Sequence, residues 1–169
     1  AASWEKLKSE GIEGLEISSS GEIFVAYRTA QRETVIERSP DDGDSWDDIT
    51  YDLPESNFST RLIGIDKQDN AFVSQRFDLY RLGSNGDSWV RADSGAFGFG
   101  QSVVFNDRGD LFLGSWGGVF CTTNNGDNWR EIDSHPTDPL TVFSIVLESS
   151  GLVLVGTAGK GVYMSNGPL

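Results

Sequence analysis

At 169 residues the chain is long enough to bury a core of its own without disulfide or metal staples. Thirteen basic against twenty-six acidic residues leave a net charge of −13, which argues against nucleic acid or an anionic membrane as partner. Cys121 and His135 are the only residues of their kinds, so an internal disulfide is excluded, a Cys/His zinc site nearly so, and a Ser-His-Asp triad has only His135 to build on; no metal or other cofactor is expected.

In chain order, Gly14–Ser18 alternates apolar and polar residues, a Ser/Gly turn follows, and Ile23–Tyr27 is a continuous apolar run, the pattern of a hairpin with one buried strand. Thr34–Arg38 adds a third strand and leads into Ser39-Pro-Asp-Asp-Gly-Asp-Ser-Trp46. The same order returns in Leu62–Ile65, Ala71–Ser74 and Leu79–Leu82. It returns again in Ser102–Phe105, Leu111–Gly114 and Val119–Thr122, and in Ser144–Leu147, Val153–Gly156 and Val162–Ser165. Six residues separate Ile17 from Ile23, Ile65 from Ala71, Phe105 from Leu111 and Leu147 from Val153. Four repetitions of one spacing point to true repeats.

The tryptophans keep the same beat. Trp4, Trp46, Trp89 and Trp129 lie 42, 43 and 40 residues apart. A period of about 40 residues holding several short strands marks a β-propeller with one blade per repeat. The expected fold is therefore an all-β single domain, residues 1–169, of four-stranded antiparallel blades over 4–45, 46–88, 89–128 and 129–169 with 1–3. Strands a to d run outward from the axis, and each tryptophan opens strand d. The chain starts within one repeat, so Trp4–Lys8 is expected to complete the last blade and close four blades into a ring. The alternative is a homodimer in which two chains form an eight-bladed ring, each donating that strand. The Ala-Ala-Ser start suggests a processed, excised or engineered piece.

The stretch Ser39 to Trp46 resembles the Asp-box, Ser/Thr-x-Asp-x-Gly-x-x-Trp, of the BNR-repeat propellers, matching at Ser39, Asp41, Gly43 and Trp46. Thr122, Asn124, Gly126 and Trp129 match with Asn in place of Asp; the boxes at Trp89 and Trp4 are degraded. Members of that family include sialidases, sortilin-like receptors and photosystem assembly factors, so the resemblance implies a fold and leaves function open. It also implies an extracellular or periplasmic protein. A sialidase-like enzyme needs, by the same resemblance, an Arg-Ile-Pro segment, three substrate-binding arginines and six blades. This chain has no Arg-Ile-Pro and four repeats, so a non-catalytic role is expected. The boxes themselves read as structural: the acid or amide bonds its own turn, Gly supplies a backbone angle other residues resist, and Trp wedges between strands.

The boxes and the short a-to-b turns share one propeller face, which leaves the b-to-c and d-to-a loops for binding. Those loops gather Arg28, Arg32, Arg61, Arg76 and Lys160 with Trp116, Tyr27, Phe58, Phe77, Phe97 and Phe99. Guanidinium forks beside flat rings suit a carboxylated or polar ligand, a glycan or a peptide. The competing reading pairs these arginines with local acids such as Glu33 and Asp78 and leaves the face as a scaffold for protein assembly.

Overall fold

The computed structural model describes residues 3, 5–31, 33–55, 60–83, 86, 88–93, 98–132 and 140–169. They form four antiparallel sheets taken one after another from the chain. The first holds β1 (Ile12–Ile17), β2 (Ile23–Arg28), β3 (Thr34–Ser39) and β4 (Asp47–Asp48). The second holds β5 (Thr60–Ile65), β6 (Ala71–Gln75), β7 (Asp78–Leu82) and β8 (Trp89–Arg91). The third holds β9 (Gly100–Phe105), β10 (Leu111–Ser115), β11 (Gly118–Thr122) and β12 (Arg130–Glu131). The fourth holds only β13 (Val142–Leu147), β14 (Val153–Thr157) and β15 (Gly161–Met164).

Each sheet is a meander because one turn recurs. The amides of Ser18, Asp66, Asn106 and Glu148 donate to the carbonyls of Glu22, Asn70, Asp110 and Leu152 at 2.9–3.0 Å. In the middle two turns the Asp66 and Asn106 side chains also accept backbone amides two and four residues on, so the six-residue spacing is held by hydrogen bonds the turn makes to itself.

Side chains alternate across the strands, so each sheet offers one face to its predecessor and one to its successor. Phe24, Ala26 and Ile36 of the first sheet meet Leu62, Ile65 and Val73 of the second. Phe72 and Leu79 of the second meet Val103, Leu111 and Leu113 of the third. Phe112, Val119 and Cys121 of the third meet Val142, Ile145 and Val155 of the fourth. At about 25 cal/mol per Å² of apolar surface removed from water, these three seams are the main stabilising term. Cys121 is a buried free thiol in the last of them, and burial raises its pKa, as suits an inert packing residue.

The boxes hold the outer turns. Ser39 Oγ accepts from the Gly43 amide at 2.8 Å and donates to Asp41, whose carboxylate also accepts from the Ser45 amide at 2.8 Å. Thr122, Asn124 and Gly126 repeat this with an amide in place of the acid, Asn124 accepting from the Asn128 amide at 3.0 Å. Trp89 and Trp129 then reach back one sheet. Their indole N–H groups donate to Ile49 and Ala92 carbonyls at 2.8 and 2.7 Å. Trp46 instead donates to Gly43 of its own turn at 3.0 Å and is half-buried, with the Lys8 ammonium 4.6 Å from its ring centroid.

The N-terminal segment departs from expectation. Among the described residues the fourth sheet has no outer strand, and residues 5–9 carry no strand pairing. Leu7 packs beside Gly43 of the first sheet, and Lys8 bonds Glu37 there. The clasp on the last blade is therefore not formed: the apolar and cationic groups of this segment find partners on the exposed face of the first blade instead. Trp4 lies outside the described residues.

Candidate functional site

The sixth residue counted from the start of the second strand stands at the loop end of the blade, ending β2 in the first sheet and following β6 and β10 in the next two. Register puts Arg28, Arg76 and Trp116 at this one position in successive sheets, and Lys160 in the matching turn of the fourth. Trp116 is 50% exposed and tilts against Phe99, with ring centroids 5.6 Å apart and planes at 34°. The pair is held by backbone: the Trp116 amide donates to the Phe99 carbonyl at 3.2 Å, and Ser115 Oγ accepts from the Gly117 amide at 3.0 Å. Arg76 lies 5.6 Å from the Phe77 ring centroid, a cation over an exposed aromatic.

A second layer lies nearer the axis, where the innermost strands begin. Arg61 Nη1 donates to Gln101 Oε1 at 2.8 Å across the seam between the second and third sheets, and Gln101 Nε2 reaches the Phe99 carbonyl at 3.5 Å. By sequence count Arg61, Gln101, Phe143 and Glu13 are equivalent on β5, β9, β13 and β1; the last three are the residues at which their strands bulge, whereas Arg61 pairs with Ser74 and β5 bulges at Ile63. Phe143 is 54% exposed. Gln101 and Phe143 escaped the sequence reading because it sought charged and aromatic residues in loops, whereas these stand on strands. The signal that finds them is the repeat itself: count four residues back from Ile65, Phe105 and Leu147.

Tyr27 does not join this face. Its repeat position is that of Gln75 and Ser115, and all three are buried. Gln75 there donates to the Pro54 carbonyl at 2.9 Å, so the position serves to close the loop end of the blade. Tyr27 shares with Val25 the face of β2 turned away from the second sheet, where both are buried next to Glu37 and Lys8. Burial first, then the Glu37 carboxylate, push its pKa from 10 up to about 12. A raised folded-state pKa means this stability is intact below pH 10 and is lost as pH rises through about 12. An ultraviolet tyrosinate titration is expected to show a step near that value which Tyr27→Phe removes; a step that survives in the variant rules out Tyr27 as its source.

Arg32, Phe58 and Phe97 lie outside the described residues, as does His135. Of the local acids, Asp78 accepts from Arg91 at 2.7 Å. The Glu33 backbone closes the turn onto Thr29.

The inner strands also enclose a cleft of about 620 Å³ at the opposite end, lined by Glu16, Ile17, Gly64, Val103, Asp107 and Glu148 among others. Burial raises the pKa of Glu16. This cleft was not anticipated, since its lining comes from strand ends that read as ordinary core and turn.

No protein-family model matches the chain, and neither does any curated protein. Solved structures do. YCF48 bound to D1 peptide superposes with a TM-score of 0.62 at 14% identity, over 94% of this chain and 52% of that one. YCF48 from Cyanidioschyzon merolae gives 0.63 at 15% identity, over 91% and 53%. The extracellular domain of BT4673 from B. thetaiotaomicron gives 0.67 at 15% identity, over 91% of this chain and 21% of that one. The chain thus spans about half the length of either YCF48 and a fifth of the BT4673 domain. These neighbours are β-propeller proteins, and at such identities they establish fold alone. With its serial antiparallel sheets, its three apolar seams and no helix among the described residues, the chain has a β-propeller fold.

Proposed function

We propose that the chain is a non-catalytic recognition module that binds a peptide segment on the loop face, between the second and third blades. The observation that carries this reading is the linked set Arg61, Gln101, Phe99 and Trp116, which presents a charge, an amide and a half-exposed π face in one place. These groups bind and orient, and they include no nucleophile or proton donor. Aromatic and Arg side chains are the anchors that dominate peptide and protein interfaces. A peptide is favoured over a glycan because a structural neighbour, YCF48, is bound to one. A sugar stacked on Trp116 is the second reading, and an assembly scaffold without a small ligand the third. An extracellular or periplasmic setting fits recognition of this kind and accords with the BT4673 extracellular domain among the neighbours.

The test is a panel of immobilised peptides and oligosaccharides probed with the protein and with W116A and R61A. Binders are expected whose affinity falls tenfold or more in each variant, about 1.4 kcal/mol or more. Trp116→Ala is expected to leave folding stability within about 0.5 kcal/mol, because half of the ring is already in water. Binders indifferent to both substitutions would move the site elsewhere, and a stability loss equal to that of a core tryptophan would make Trp116 a packing residue.

A further inference from the structure

The two ends of the blade series expose apolar positions that are buried or half-buried between blades. On the third strand of each blade, Ile36, Leu79 and Val119 are 0%, 3% and 7% exposed, whereas their counterpart Val162 is 73% exposed. On the innermost strand, Leu62, Val103 and Ile145 are 6%, 7% and 4% exposed on the face turned to the preceding blade, whereas their register counterpart Leu15 on the first blade is 60% exposed; Ile17 beside it is 64% exposed, where Ile65 is 7% exposed and Phe105 and Leu147 are half-buried. The successor face of the fourth blade therefore has the pattern that a first-type face covers three times over in this chain, and the predecessor face of the first blade is of that type.

The outer strand says the same. Gly126 sits under Ala92, three residues past Trp89 on the preceding blade. Gly43 sits under Leu7, three residues past Trp4. Leu7 thus occupies the place of a preceding blade's outer strand, while β15, the edge of the fourth sheet, has none among the described residues. The chain also superposes over nine-tenths of its length on about half of a longer propeller chain, so its four sheets follow an arc of that protein.

We propose that the occupant of both faces is a second copy of this chain. The contact is head to tail: the fourth blade of one copy stacks on the first blade of the other, whose residues 5–8 lie along β15 as its fourth strand. Such a heterologous contact made twice closes a two-fold ring of eight blades, removes two exposed sheet edges, and doubles the loop-face layer of Glu13, Arg61, Gln101 and Phe143 around one axis. This assembly is independent of what the loop face binds.

Sedimentation velocity and light scattering on the full chain test it. A mass twice the 18.4 kDa of one chain is expected. Leu15→Glu and Val162→Glu each alter only an exposed end, and each alone should give monomers with an unchanged far-ultraviolet circular dichroism spectrum. Mixing the two variants should bring dimers back, because the Leu15→Glu copy keeps a native fourth blade and the Val162→Glu copy a native first blade, so one contact is intact. Monomers of the wild-type chain at every concentration would overturn the proposal and leave these faces to blades of a longer polypeptide. Dimers that survive either substitution, or variants that fail to complement, would overturn the head-to-tail arrangement.

Discussion

Trp129→Ala and Trp89→Ala are each expected to lower folding stability by about 3–5 kcal/mol, and Trp46→Ala by only about 1–2. All three hold the same place in the repeat, so the difference has to come from their surroundings. Trp89 and Trp129 are buried, and each donates its indole N–H to a carbonyl on the preceding blade. Truncation there opens a cavity in an apolar seam and leaves the Ile49 or Ala92 carbonyl without its donor, two costs that add. Trp46 has no described blade before it. Its N–H returns to Gly43, and the ring is shared between the Lys8 ammonium and water. Urea unfolding followed by circular dichroism measures the three losses, with midpoint shifts at constant slope reporting stability alone. Equal losses at all three positions would mean that Trp46 is as fully packed as the others, and the first blade would not be an open end.

The same comparison shows what a sequence of this kind discloses. The four a-to-b turns were legible because their hydrogen bonds are local: Asp66 and Asn106 accept amides within their own turns, and such chemistry fixes a spacing. The second strands were legible because Phe24, Phe72 and Phe112 are buried between sheets and the runs around them are apolar throughout. The fate of Trp4–Lys8 was not legible. A short outer strand has one edge to pair and one residue to pack, and either blade could supply the partner; in the fold Leu7 packs on Gly43. Loop-face membership was legible for Trp116, whose position turns outward after the strand ends, and not for Tyr27, one residue earlier in the repeat and on the opposite side of the pleat. Gln101 and Phe143 could be found only by superposing repeats, since neither has a composition signal of its own.

Gly98→Ala is expected to cost more than a surface glycine substitution and to disturb the candidate site directly. Gly98 has φ +89°, a left-handed value that costs an L-residue about 1–2 kcal/mol. A Cβ at this position would stand 2.6 Å from the Gly117 amide nitrogen and 3.2 Å from the Trp116 carbonyl carbon. Both are backbone atoms, so no rotamer change relieves the contact. The β10–β11 turn has to move away from Phe99, and the bond from the Trp116 amide to the Phe99 carbonyl is the link it breaks. Gly159 is the internal control: it has φ +71° with nothing within 4 Å of an added Cβ, so Gly159→Ala carries only the backbone term. Measured side by side by thermal and urea unfolding, Gly98→Ala should exceed Gly159→Ala by about 1–3 kcal/mol, the usual range for overpacking. It should also red-shift the Trp116 emission, isolated by subtracting the spectrum of the same variants lacking that tryptophan. Equal costs with unchanged emission would mean that the turn is free to yield, and that Trp116 is presented by a loose loop rather than held by the blade.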